Sequence, residues 1–245
     1  MWFRKHELTF KMQLFFDPAL TATDTVFSFD KEESKHIIKV LRKKDGDILH
    51  VTNGLGYLFT TIITLASEKN CTVKITKAEL QNPMKYRLHL AVAPTKMNDR
   101  FEWFLEKATE IGIHEITPIL CEHAERKHIN LDRLEKVIAS AMKQSNQCYL
   151  PKLNPLTPYN AFVKEEREGL LFVAHCEETA RFSLKSKLLP KLDTTILIGP
   201  EGDFSAAEIQ AALQQQYQPI TLGSSRLRTE TAALAACHSV AFINE

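Results

Sequence analysis

Ile196-Leu197-Ile198-Gly199-Pro200-Glu201-Gly202-Asp203-Phe204-Ser205 decides how this chain is read. Three apolar residues stop at a Gly-Pro turn, and Ser205 with Glu208 three positions on has the spacing of a capping box, which marks a helix start. The stretch predicts a buried strand over residues 194–198, a tight turn and a helix. In open α/β sheets, ligands lie outside the carboxyl ends of the strands, where small residues let a ligand approach the backbone. Gly199 and Gly202 provide that access, although alone they would equally satisfy a plain strand-to-helix turn.

A companion lies downstream. Thr221-Leu222-Gly223-Ser224-Ser225-Arg226-Leu227-Arg228-Thr229-Glu230-Thr231-Ala232-Ala233 reads as a second strand, glycine turn and helix entry, and two such turns can line one pocket. Arg226 and Arg228 stand beside Glu230 at a helix start, where the dipole favours the carboxylate and disfavours cations, so they point to function. His175, which ends the strand beginning at Leu170, is a candidate for the same pocket, with a structural role as its alternative. Neither turn is GxGxxG followed by an acidic residue about twenty positions on, and no GxxxxGK[ST] occurs, which sets aside nicotinamide-dinucleotide and nucleoside-triphosphate binding. Cys121-Glu122-His123 with His128 lacks the matched spacing of a zinc site, and no metal is expected.

Around these turns, strands at residues 87–93, 115–120, 170–175, 194–198 and 219–222 alternate with helices at residues 100–111, 131–147 and 229–242. That order is the signature of an α/β domain with a mainly parallel sheet. Gly112 suits a left-handed helix end. Ahead of the break at Gln81-Asn82-Pro83-Met84, shorter strands at residues 13–16, 25–29, 47–52, 57–65 and 71–80 are separated by Asp45-Gly46 and Asn53-Gly54-Leu55-Gly56, the pattern of a small barrel or sandwich. One helix interrupts them over residues 35–42, with Ile37, Val40 and Leu41 at helical spacing and Lys35, Lys39, Arg42 and Lys43 on a basic face.

The chain's 245 residues, 44% of them hydrophobic, suffice for one or two domains with a real core and exclude a disordered or fibrous protein. With 31 Lys and Arg against 30 Asp and Glu, any basic surface must be local. Residues 1–85 hold 13 Lys and Arg against 10 Asp and Glu and the remainder 18 against 20, which favours the front part for meeting a polyanion. No apolar run approaches the ~20 residues needed to cross a bilayer. The charged start does not read as a secretory signal, and five scattered cysteines without a CxxC pair fit a reducing, cytoplasmic location.

These residues resemble the SPOUT-superfamily methyltransferases of RsmE type, which methylate N3 of a uridine in small-subunit ribosomal RNA. The resemblance rests on Ile198-Gly199-Pro200-Glu201-Gly202, on Leu222-Gly223 with Arg226-Leu227-Arg228-Thr229-Glu230-Thr231-Ala232, on residues 100–112 (RFEWFLEKATEIG), and on His36-Ile37-Ile38-Lys39-Val40-Leu41-Arg42 with Gly46-Asp47. It implies a PUA-like RNA-binding β-barrel over residues 12–82 and a SPOUT α/β domain over residues 83–245 with a C-terminal trefoil knot, preceded by an extension at residues 1–11. It further implies a homodimer that binds S-adenosylmethionine, with the adenosine against Ile198, Gly199, Gly202, Leu222, Gly223 and Leu227, and with Arg228, Glu230 and Thr231 nearby.

On that basis Arg228 is expected to stabilise charge on the uracil oxygens, with Glu201 or Glu230 accepting the N3 proton. Lys35, Lys39, Arg42, Arg126 and Lys127 are expected to contact RNA. Asp203 stands where many relatives have a second glycine, Lys127 where they often have Ser or Cys, and Gln144 is carried only as a part of the pocket architecture. Competing readings are another SPOUT reaction, ribose 2′-O or guanine methylation, and a non-catalytic ribosome-binding or assembly protein.

Overall fold

The computed structural model describes residues 12–177 and 180–245, so the extension expected at residues 1–11 lies outside the described residues. The chain divides into two compact units. The first holds the described residues up to Pro83 together with Met142–Leu150, and the second holds Met84–Ala141 and Pro151–Glu245.

In the first unit β1 (Leu14–Phe16), β2 (Val26–Ser28), β3 (Ile48–Thr52), β4 (Tyr57–Leu65) and β5 (Thr72–Leu80) form one sheet in the order β1-β3-β4-β5-β2. Only the β1–β3 pairing is parallel. Alternation along β4 sends Phe59, Thr61 and Ile63 inward, and register shifts at Thr60/Thr61 and Ile63/Leu65 bend this strand against β5. Phe15, Phe29, Leu49, Val51, Phe59 and Val73 fill the resulting core.

The basic helix differs from the sequence expectation. An α-helix, α1 (Lys31–Lys35), begins earlier, because the Asp30 side chain caps it by accepting from the Glu33 amide at 2.8 Å. A π-helical turn, His36–Val40, follows. Its wider winding rotates the apolar phase, so Ile37, Ile38 and Leu41 meet the core while Val40 is 64% exposed. Arg42 lies past the helix with φ +57°.

The second unit carries β6 (Leu88–Val92), α2 (Asn98–Ile111), β7 (Glu115–Leu120), most of α3 (Leu131–Gln144), β8 (Lys152–Leu153), β9 (Thr157–Pro158), α4 (Tyr159–Lys164), β10 (Leu170–Ala174), β11 (Phe182–Ser183), α5 (Leu184–Lys187), β12 (Thr194–Ile198), α6 (Ala206–Gln214), β13 (Gln218–Thr221) and α7 (Thr229–Asn244). Its sheet runs β11-β13-β10-β12-β6-β7-β8, with β9 also on β7, and every pairing is parallel. A parallel sheet covered on both faces explains why β12 is apolar without alternation. Ile196 and Ile198 face a core shared with Phe104 of α2 and Ala236 of α7, and Leu197 faces one shared with Phe162 of α4 and Ile209 of α6.

Gly112 ends α2 at φ +110°, as its sequence position predicts. The alanines of α7 let it lie close against α2, β6 and β12. The short elements β8, β9, β11, α4 and α5 were not expected, since two to six residues are too few to show a period. α3 stops at Gln144 rather than at residue 147. Among the described residues no helix is long and apolar enough to cross a membrane.

Candidate active site

The carboxyl ends of β10, β12 and β13 open onto a cavity of about 830 Å³. Its walls are the two glycine turns singled out in the sequence. The first leaves β12 at Ile198. A Cβ on Gly199 would stand 3.1 Å from the Phe204 ring and 3.2 Å from the Phe204 nitrogen, so glycine is what lets the chain fold back over that ring. The turn closes through the Asp203 amide donating to the Pro200 carbonyl at 2.9 Å. Ser205 then caps α6, its hydroxyl accepting from the Glu208 amide while the Glu208 carboxylate accepts from the Ser205 amide.

The second turn leaves β13 at Thr221, whose hydroxyl donates to the Gly223 carbonyl at 2.8 Å. Gly223 has φ +138° and open space where a Cβ would be, so here backbone conformation rather than crowding calls for glycine. Arg228 is the N-cap residue of α7, with its side chain exposed at the cavity. The two turns are joined directly, as the Thr229 hydroxyl donates to the Gly199 carbonyl at 3.0 Å.

His175, Ile198, Gly199, Glu201, Leu222, Gly223, Leu227 and Arg228 therefore come together on one cavity surface. Gly202, Glu230 and Thr231 do not. Gly202 turns toward His123, whose Cβ would lie 3.1 Å from an added methyl. Thr231 is exposed on the first turn of α7. Glu230 is buried 3.9 Å from the Arg100 guanidinium, and its Oε2 has no hydrogen-bond partner among the described residues. Of the two candidate carboxylates, only Glu201 faces the cavity.

Asp203 and Arg181 are among the wall residues that the sequence does not mark as site residues. Asp203 holds φ +64°, a conformation Asp tolerates better than most residues, and its carboxylate accepts from the Cys176 amide at 2.7 Å and the Phe204 amide at 2.8 Å. It thereby ties the end of β10 to the turn after β12. Arg181 donates to the His175 carbonyl at 2.5 Å. The only sequence signal for either was Asp203's departure from glycine. His175 is 4% exposed, and neither ring nitrogen has a hydrogen-bond partner among the described residues. Burial holds its pKa below the ordinary histidine value, only partly opposed by the Asp203 carboxylate, so it is a neutral donor and acceptor in the wall.

The predicted RNA contacts fall into two groups. Lys35, Lys39 and Arg42 are exposed around the π-helical turn of the first unit. In the second unit Lys127 is exposed, but Arg126 is partly buried and donates to two backbone carbonyls, those of Thr95 and Lys96. Among the described residues no group of three or more His, Cys, Asp or Glu side chains is placed to hold a metal.

Residues 82–241 match the model of an RNA methyltransferase domain. The chain belongs to the RNA methyltransferase family. Residues 29–76 match that family's PUA domain. Among its relatives, the ribosomal RNA small subunit methyltransferase E of Buchnera aphidicola is 32% identical over 219 residues, which cover 86% of this chain and 85% of the relative. A crystal structure described as a probable rRNA-methyltransferase from Porphyromonas gingivalis superposes with a TM-score of 0.89 at 38% identity, over 95% of this chain and 98% of that one. A Legionella pneumophila methyltransferase in complex with the bound cofactor SAM matches with a TM-score of 0.83 at 27% identity, over 94% and 96% of the two chains. In this RNA methyltransferase the first unit thus carries a mixed sheet and the second a wholly parallel α/β sheet.

Proposed function

We propose that this RNA methyltransferase transfers a methyl group from S-adenosylmethionine to N3 of a specific uridine in small-subunit ribosomal RNA. The observation that carries the reading is the meeting of the two glycine turns around one cavity with Arg228 at its edge. The cavity suits the cofactor, since about 830 Å³ lies within the range of small-molecule sites. Gly223 leaves its backbone open to close approach, and His175 offers buried ring nitrogens without partners among the described residues. Backbone groups of Ile198, Gly199, Leu222, Gly223 and Leu227 would hold the adenosine. When bound, the cofactor supplies an electrophilic methyl group.

The chain's residues then have two duties. They hold the uracil ring in line with that methyl, and they favour loss of the weakly acidic N3 proton. Arg228, a fixed cation, stabilises negative charge developing on the uracil oxygens. Glu201 accepts the proton, directly or through water, because Glu230 is turned away and engaged near Arg100. The front unit, matched as a PUA domain, captures RNA through phosphate contacts from Lys35, Lys39 and Arg42, which position without reading sequence.

The same reading includes a homodimer, a knotted C-terminal region and a cytoplasmic site of action on the ribosomal subunit. Large apolar side chains left exposed on the second unit, Trp103 of α2 at 42% and Phe242 of α7 at 69%, support a partner surface. The return of α7 from β13, which lies between β11 and β10, to pack on β6 and β12 supports the knot.

The test is to incubate the purified protein with labelled S-adenosylmethionine and unmodified small ribosomal subunits, then locate the label by nucleoside mass spectrometry. N3-methyluridine is expected. Label on a ribose or a guanine, or none, overturns the assignment.

A further inference from the structure

Arg126 has the look of a phosphate ligand in the sequence, yet its guanidinium is committed inside the protein. Its Nε donates to the Thr95 carbonyl at 2.9 Å and its Nη2 to the Lys96 carbonyl at 2.5 Å. A planar fork on two successive carbonyls fixes a short piece of main chain as a flexible ammonium cannot. That piece is the loop between β6 and α2, where Thr95 is fully buried and its hydroxyl donates to the Met97 carbonyl at 2.7 Å. The amide of Lys96 donates to Glu201 Oε1 at 3.0 Å. The Lys96 ammonium pairs with Glu125, next in sequence to Arg126, at 2.8 Å.

We infer that Arg126 is a positioning residue: through the Thr95-Lys96 main chain it holds one oxygen of Glu201, a carboxylate of the cavity wall, in place. The inference rests on the proposed role of Glu201 and deepens it. The arrangement has a physical purpose. Glu201 is exposed, and an exposed carboxylate on a turn otherwise samples several rotamers. A charge-assisted hydrogen bond from an amide that is itself clamped removes that freedom before substrate arrives. Arg126 accordingly contributes to turnover without touching RNA.

A double-mutant cycle with Arg126→Ala and Glu201→Ala tests this, read by single-turnover methylation of small subunits, cofactor affinity, the salt dependence of RNA binding, and amide hydrogen exchange at Lys96. Arg126→Ala is expected to slow methyl transfer about tenfold with cofactor affinity changed less than twofold. In the Glu201→Ala background it should have no further effect. The slope of log affinity against log salt should equal that of the parent, whereas loss of a phosphate contact would reduce it by ~0.7–0.9. Lys96 exchange should accelerate in both single variants.

Full additivity, a flattened salt slope, or unchanged Lys96 protection in Arg126→Ala each overturns the inference. Should Arg126→Ala not fold, Arg126→Lys serves with the same four readouts and a smaller loss. If the parent protein transfers no methyl group at all, the proposed function fails and with it any role in turnover, while Lys96 exchange still decides whether the Arg126–Lys96–Glu201 linkage exists.

Discussion

Replacing Asp203 separates backbone strain from side-chain tethering at the cavity wall. The residue sits at φ +64°, which costs a residue with a Cβ ~1–2 kcal/mol, Asp standing at the lower end. Against this, its carboxylate accepts from two amides, Cys176 at 2.7 Å and Phe204 at 2.8 Å. Hydrogen bonds to a charged group contribute ~1.5–3 kcal/mol each when buried. Asp203 is only half-buried and the Phe204 bond is to its own neighbour, so about 2–3 kcal/mol for the pair is a fair figure.

Asp203→Gly loses the tether but relieves the strain, and should destabilise the protein by about 1 kcal/mol. Asp203→Ala loses the tether and keeps the strain, and should cost about 2–3 kcal/mol. Both free the end of β10, so S-adenosylmethionine affinity should fall about tenfold in each, a loss of ~1.4 kcal/mol. Urea unfolding of the intact chain gives the first pair of numbers and isothermal titration the second. Equal stability of the Gly and Ala variants would refute the strain argument, and unchanged cofactor affinity in both would refute the tether.

Burial depresses His89 from 6.5 to about 4, where its ring meets Thr117 and Phe162. Between these values the unfolded imidazole binds a proton that the folded one refuses, so the stability present above pH 6.5 is lost as pH falls toward 4, by about 3 kcal/mol in all. His89→Gln should flatten that slope in urea titrations run from pH 7 to 4.5. Gly223→Ala forces a side chain onto φ +138° with no clash to blame, and should weaken cofactor binding through backbone strain of about 1–3 kcal/mol, measurable by calorimetry. Arg228→Ala should lower single-turnover rate far more than cofactor affinity; equal rates would remove it from the mechanism. Replacing Lys35, Lys39 and Arg42 together by Ala should reduce the salt slope of RNA binding by about 2–3 while leaving cofactor affinity intact.

Sequence pattern alone located the strand-turn-helix units, the succession of a small front unit of short strands and a mainly parallel α/β sheet, and the two turns that supply much of the cavity wall. It did so because those features are local: an apolar run, a glycine, a capping box and their order are written in consecutive residues. Tertiary structure decided what depends on neighbours far along the chain. It turned Glu230 toward Arg100 and left Glu201 on the cavity, committed Arg126 to the carbonyls of Thr95 and Lys96, and made Asp203 the tie between β10 and the turn after β12. A charged residue's type fixes what it can bind, but only the packing of distant segments fixes which partner lies beside it, and that partner sets its duty.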